Sequence, residues 1–247
     1  MTTRAFVEQI MGMPISIHVR GPARPDQPTV QAAYDELRLI DALFSPFAAD
    51  SDVSRIQRGE LGLDEAHPLL REVAALTDIA EQVTEGAFTT ALPHASGEVR
   101  WNPTGLVKGW AVERAGDILA SMPATAYCIN AGGDITCGTH RHIPATGADA
   151  APWRIGVEDP RDRSRIAAIV PLPQGSLATS GTAARGAHLY DPRSGTMIDR
   201  AGSVTVFGPS LTWADVWATA LFVGGSSARA AFTAWGDVNP GYQLIEL

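Results

Sequence analysis

Residues 5–10 (AFVEQI) and 14–20 (PISIHVR) alternate, or nearly alternate, apolar with polar side chains, the period-two pattern of half-buried strands. They predict two strands joined through Met11-Gly12-Met13-Pro14. The period then lengthens: Val30, Tyr34, Leu37 and Ile40 stand at helical spacing and predict a helix over 28–44. The stretch SPFAADSDVSRIQRG that follows reads as a polar turn. Pro68 opens a second helix, with Leu69, Val73, Leu76, Ile79, Ala80 and Val83 on one side and Gly86 at its end. A third helix is predicted over about 107–122 (VKGWAVERAGDILASM).

Apolar runs punctuated by glycine and proline come next. AYCINAGGDITCG, WRIGVEDP and IAAIVPL read as strands, with an Ala-, Gly- and Pro-rich loop (THRHIPATGADAAP) between the first two. GSLATSG and SVTVFG add further strand, and GYQLIEL reads as a final edge strand. Strands and helices mix without a regular βαβ alternation, which predicts an α+β fold rather than a Rossmann sheet. Neither an internal repeat nor a composition shift marks a linker, so residues 1–247 are expected to form a single domain.

Between the last two strands lies TWADVWATALFVGG, a helix whose sides are nearly all apolar except for Asp215 and Thr219. Four residues apart on a helix, these two present their oxygens side by side. One reading is a capping box, with Thr212 as the cap and Asp215 as the third helical residue. The other is a site for a hard cation such as Mg²⁺, which prefers carboxylate, hydroxyl, carbonyl and water oxygens.

Composition narrows the partners. The chain of 247 residues carries a formal charge of −8, so its field repels polyanions and excludes a nucleic-acid or anionic-membrane surface. A small anionic ligand then needs a local device, such as a metal ion or oriented backbone amides. Cys128 and Cys137 are too few for a disulfide framework and lack zinc-site spacing, so both are expected to be core residues within strands. The first residues contain no signal-type apolar stretch, and no apolar run approaches a membrane span; a soluble, cytoplasmic protein is expected.

Several short stretches could carry chemistry. NPTGLVKGWAVE leads small residues into a helix whose first amides could receive a phosphate, with Lys108 adding a cation, although it is not a Walker sequence. In INAGGDI, a tight turn with Asp134 satisfying local amides is the plainer reading. LATSGTAARGAHLYDPRSG concentrates hydroxyls, glycines and His188, which titrates near neutrality and could accept a hydroxyl proton. His140 and His142 form an H-x-H pair with no carboxylate nearby, a poor metal site.

Taken in order, these pieces resemble the ApbE family, the FAD:protein FMN transferases. Met11-Gly12 before a strand, FSPFAADSDVSR, EGAFTTA, GLVKGWAVERA, NAGGDI, PWRIGVEDP, ATSGTAARGAHLYDPRSG and ADVWATALFVGG each follow a family motif, and together they cover most of the chain. The resemblance implies a two-lobed α+β fold, with mixed or antiparallel sheets packed by helices and a flavin cleft between lobes. It implies Mg²⁺ held by Asp215, Thr219 and a main-chain carbonyl, that of Gly105 or, as the alternative, Val107. It also implies FAD as substrate, His188 as the general base, and flavin or adenosine contacts from Met11, Phe47, Ala87, Phe88, Thr89, Asn102, Lys108, Gly133 and Ser180.

The implied reaction moves FMN from FAD to a Thr or Ser hydroxyl of an acceptor protein with a D-x-x-[ST]-[GA]-[AS]-T motif, and releases AMP. The chain departs from the family pattern at Phe47 in place of Tyr, Thr89 in place of Asp and Asn102 in place of Asp. Phe47 keeps a stacking face; the other two each remove a negative charge near a diphosphate, with consequences for FAD affinity or acceptor preference. An FAD pyrophosphatase using the same site with water, and a protein that stores FAD without metal, are the rival readings.

Overall fold

The computed structural model describes residues 3–21, 26–94, 96–182 and 189–247. The two period-two stretches form β1 (Thr3–Ile10) and β2 (Met13–Arg20), paired antiparallel from Thr3↔Arg20 to Ile10↔Met13. The turn residues Met11 and Gly12 have φ of 55° and 72°. Two left-handed residues are what a two-residue hairpin with the natural strand twist requires. Met11, the less tolerant of the two, donates its backbone N–H to Asp41 Oδ2 at 3.0 Å.

Helix α1 (Gln27–Phe44) buries Val30, Tyr34, Leu37 and Ile40, the predicted stripe. Part of the expected polar turn is instead a short helix, α2 (Asp52–Gln57), capped by Ser51 Oγ, which accepts from Ser54 N at 3.0 Å. Six residues with Val53 as their one buried apolar side chain are too short to show a period. Helix α3 (Pro68–Val83) begins at Pro68 as expected and buries Leu70, Val73, Thr77 and Ala80; of the expected side, Leu69, Leu76 and Val83 also pack against the core, half-buried, and Ile79 is exposed. Thr77 joins this face at no polar cost, its hydroxyl donating to Ala74 O at 2.8 Å.

A two-stranded ribbon, β3 (Ala91–Pro93) with β4 (Val99–Trp101), leads into α4 (Thr104–Leu119). Helix α4 starts three residues before the expected boundary, because Asn102 Oδ1 accepts from Thr104 N at 3.2 Å and Thr104 Oγ1 at 2.7 Å and so anchors the first turn earlier.

The remaining elements are β5 (Ala126–Ala131), β6 (Asp134–Thr139), β7 (Trp153–Asp159), β8 (Asp162–Leu172), β9 (Gly175–Gly181), β10 (Tyr190–Asp191), β11 (Thr196–Met197), β12 (Ser203–Gly208), α5 (Leu211–Val238) and β13 (Gln243–Glu246). One sheet of seven strands runs β1-β2-β5-β6-β9-β12-β13, every ladder is antiparallel, and β13 is an edge as expected. Alternation splits its side chains between two layers. Ile17, Ile129, Ala131, Ala178 and Val206 join the core formed with α1, α4 and α5. Cys128, Ile135, Cys137 and Leu177 face the β7–β8 ribbon through Trp153, Ile155, Val157, Val170 and Leu172. Both cysteines are therefore buried core residues, as expected. The fold is α+β.

Helix α5 is not one rod. Gly225 has φ 57° and ψ −127°, outside the helical region. Trp213 and Trp235 are 22 residues apart and about 33 Å apart along a continuous helix, yet their ring centroids are 5.8 Å apart. Trp217 likewise packs on Phe232 and Trp235 at 5.3 Å. The chain doubles back at Gly225 into two arms locked by aromatic contacts. The expected helix over 212–225 corresponds to the first arm; no element was expected over 226–238, the second.

Candidate active site

Sheet register gathers the chemistry at one end. Ile15↔Ala131, Ile135↔Leu177 and Ser203↔Gly181 place the Met11-Gly12 turn, the Gly132-Gly133 turn, Asp134 and the last residues of β9 on the same side. Asp134, first residue of β6, is buried beneath that end. Its Oδ2 meets Lys108 Nζ of α4 in an ion pair, and its Oδ1 accepts from Thr179 N at 3.4 Å. The expected role of Asp134 in satisfying the turn amides falls instead to Asn130, whose Oδ1 accepts from Gly133 N at 2.9 Å. Asp134 is turned inward because Lys108 approaches from the helical layer.

Lys108 Nζ also lies 3.5 Å from Oδ2 of Asp215, on the first arm of α5. Lys108 thus lies between two buried carboxylates. One helical turn beyond Asp215, Thr219 Oγ1 is 2.9 Å from Ser180 Oγ on β9. Asp215, Thr219, Ser180, Lys108 and Asp134 are thus brought together. The hard carboxylate and hydroxyl oxygens of Asp215 and Thr219, one turn apart on the same helix, fit Mg²⁺ chemistry.

The capping-box reading of Asp215 is overturned. Ser210 is the cap, its Oγ accepting from Trp213 N at 3.5 Å, so Asp215 is the fifth helical residue rather than the third. The carboxylate that serves this helix start is Glu113 of α4. Its Oε2 accepts from Ser210 Oγ at 2.8 Å, Thr212 N at 3.1 Å and Thr212 Oγ1 at 2.6 Å. The two helices come close because Gly109 lacks a side chain: a Cβ there would stand 3.0 Å from Leu211 O and 3.2 Å from Asp215 Cβ. Sequence reasoning missed Glu113, although it stands one turn after Gly109 and on the same face.

The other expected contacts are distributed around this centre. Ala87 and Phe88 are buried, and the Phe88 ring packs over Gly105. Thr89 Oγ1 donates to Glu81 Oε1 at 2.9 Å, and Thr90 N donates to the same oxygen at 2.9 Å, which ties the 87–90 segment to α3. Asn102 holds the start of α4. Gly133, with φ 102°, is exposed in its turn, and Met11 is half-buried in the other. Gly105 is exposed and Val107 buried, the two alternatives for a carbonyl ligand. Phe47, 96% exposed, stands clear of the core between α1 and α2, an apolar face with no protein packing. His188 lies outside the described residues.

Among the described residues, no three His, Cys, Asp or Glu are arranged to hold a metal ion. His140 Nδ1 accepts from His142 N at 3.0 Å and Ile143 N at 2.7 Å, so the H-x-H pair braces a turn. No described helix is long and apolar enough to cross a membrane.

Comparison with known proteins bears on this geometry. A FAD:protein FMN transferase of Vibrio cholerae is 32% identical over 136 residues, covering 51% of this chain and 39% of that protein. One from Salmonella typhimurium is 30% identical over 129 residues, covering 48% and 35%. The matched stretches thus span well under half the length of these relatives. Among solved structures, the ApbE protein of Thermotoga maritima has a TM-score of 0.81 at 21% identity, over 99% of this chain and 94% of that one. The flavin transferase ApbE of Vibrio cholerae gives 0.77 at 21% identity, over 99% and 97%. At such identities the likeness establishes the fold. The ApbE family model matches residues 90–239, from the loop after α3 through the whole of α5 and every residue of the charged cluster, and the chain belongs to the ApbE family.

Proposed function

We propose that the protein transfers the FMN half of FAD to a Thr or Ser hydroxyl of an acceptor protein, making a phosphodiester and releasing AMP, with Mg²⁺ as its metal. The observation that carries this reading is the convergence of Asp215 and Thr219 with Lys108, Asp134 and Ser180 at one end of the sheet, in a member of the ApbE family. The names of the Vibrio and Salmonella relatives support it.

In this reading Asp215, Thr219 and the carbonyl of Gly105, or else of Val107, hold the metal. When bound, Mg²⁺ offsets charge on the diphosphate and on the departing AMP. Lys108 keeps the two carboxylates from repelling each other and fixes Asp215. Phe47 offers its exposed face for stacking on the flavin ring. Met11, Ala87, Phe88, Thr89, Asn102, Gly133 and Ser180 line the FAD.

The acceptor hydroxyl oxygen bonds to the FMN phosphorus while the diphosphate bridge breaks, and AMP leaves with the bridging oxygen. His188 takes the hydroxyl proton, a role assigned from its place in the sequence alone. Holding the hydroxyl in line is worth ~7 kcal/mol or more, enough for a matched acceptor to outcompete water.

The test mixes the protein, FAD and Mg²⁺ with a domain bearing D-x-x-[ST]-[GA]-[AS]-T and with its variant lacking the last Thr. Covalent flavin fluorescence on a denaturing gel, with matching AMP, is expected for the first domain alone. Equal labelling of both rejects the attachment site. Free FMN and AMP without labelling mean a pyrophosphatase, and FAD binding without AMP means a carrier.

A further inference from the structure

We infer that Glu113 is a positioning residue of this site, setting the axial register of the first arm of α5 and thereby where Asp215 and Thr219 stand. The inference rests on the flavin-transfer reading for what the pair does and on geometry for how it is held.

A helix start leaves its first amides without intrahelical partners and carries a partial positive charge, so it seeks an anion. No acidic residue occupies the first turn of α5, and the reach from Ser210 Oγ to Trp213 N is a long 3.5 Å. The anion comes from another helix: one oxygen of Glu113 collects three hydrogen bonds, from Ser210 Oγ, Thr212 N and Thr212 Oγ1. Five residues earlier on α4, Lys108 faces Asp215. Rising numbers on α4 therefore meet falling numbers on α5, and the helices run antiparallel through this contact.

The first arm of α5 is pinned at two points of opposite sign, by a carboxylate at 210–212 and by an ammonium at 215. Gly109 lies between them against Leu211 O. Two pins on one face oppose both sliding and rotation; one pin leaves rotation about it. Loss of Glu113 frees the arm near its start, and the oxygens of Asp215 and Thr219 no longer converge on one point.

The experiment compares wild type with Glu113→Gln, which keeps shape but loses charge, and with a Ser210→Ala/Thr212→Val double variant, which keeps Glu113 and removes two of its three donors. Mn²⁺ binding is followed by electron paramagnetic resonance in the presence of FAD, alongside thermal unfolding and metal-free FAD binding. Supporting an aligned ligand in this way is worth about 10-fold in metal affinity. The expected result is that loss of Mn²⁺ affinity in both variants, with metal-free FAD binding within about 2-fold of wild type, and AMP release recovering as metal is raised. Unchanged Mn²⁺ affinity in either folded variant overturns the inference, and failure of both to fold reassigns Glu113 to stability alone. Asp215→Ala separates the two levels: if it retains Mn²⁺ affinity the metal reading fails, and if it alone loses affinity the Glu113 inference fails.

Discussion

Ser180 on β9 and Thr219 on α5 share a hydrogen bond, their hydroxyl oxygens 2.9 Å apart. A hydroxyl has one proton and two lone pairs. When Thr219 donates to Ser180, both its lone pairs are free for a cation, and β9 decides where they point. Ser180→Ala is expected to raise the Mg²⁺ concentration for half-maximal AMP release about 10-fold, and Thr219→Val more. Metal titrations of AMP release measure it; curves that superpose on wild type remove the hydroxyl pair from the metal site.

Asp215→Ala is expected to abolish AMP release while the protein still unfolds cooperatively. Lys108 keeps its ion pair with Asp134, so no buried ammonium is stranded. The loss of stability should stay near 1–3 kcal/mol rather than the larger cost of breaking an isolated buried pair. Circular dichroism melts and an AMP assay together check this, and full activity would eliminate Asp215 as a ligand.

Gly109→Ala and Gly236→Ala place the same methyl on helices with opposite expected outcomes. At Gly109 it meets the backbone oxygen of Leu211 at 3.0 Å, and the helices must part, at a cost of about 1–3 kcal/mol and much of the activity. At Gly236 nothing lies within 4 Å, and the helix gains up to ~1 kcal/mol from the lower entropy of the unfolded chain. Urea midpoints decide it: equal shifts for both would mean that α4 and α5 are not in tight contact.

Buried tyrosines make the fold sensitive to base. Burial, aided by the Glu8 carboxylate, pushes the Tyr34 hydroxyl up to about 12, and burial raises Tyr127 and Tyr242 as well. A free tyrosine ionises near 10. Above that pH the unfolded chain sheds protons that the folded chain retains, so stability present below pH 10 is lost as pH rises toward 12. Tyr34→Phe should flatten this fall while lowering stability at neutral pH through loss of the bond to Ile15 O. Urea unfolding from pH 8 to 11 shows it, and an unchanged slope would place the titration elsewhere.

For His188→Ala, loss of a general base is expected to slow transfer by about 100-fold or more. FAD affinity should survive. Collapse of FAD binding with normal turnover of what remains bound would make His188 a binding residue.

Legibility in the sequence followed locality. The β1–β2 and β5–β6 hairpins and α1 showed because each carries its period and its turn within 20 residues or so, and each was found where expected. The second arm of α5 did not show, because what makes Ala231, Phe232 and Trp235 a packed helix is Trp213 and Trp217 on the far side of Gly225. On α3 the apolar side is legible except at Ile79, which is exposed, and at Thr77, which enters the core because its own helix satisfies its hydroxyl. At the site, Asp215 and Thr219 were visible as an i, i+4 pair, whereas Asp134 was read as a turn residue because its partner Lys108 comes 26 residues earlier, from another layer.

The pairing of β2 with β5 joins Ile15 to Ala131. A ribosome adding ~5–20 residues each second leaves roughly 6–23 s between the emergence of those two positions. For that interval the newborn β1–β2 hairpin carries an open edge at β2, and the helices that precede β5 in the chain, α1 first, are what can shelter its apolar face. An unpaired strand edge is a template for another chain. On a crowded polysome that other chain is a neighbouring copy of the same hairpin, so yield in the cell depends on how quickly residues 126–131 arrive to claim it.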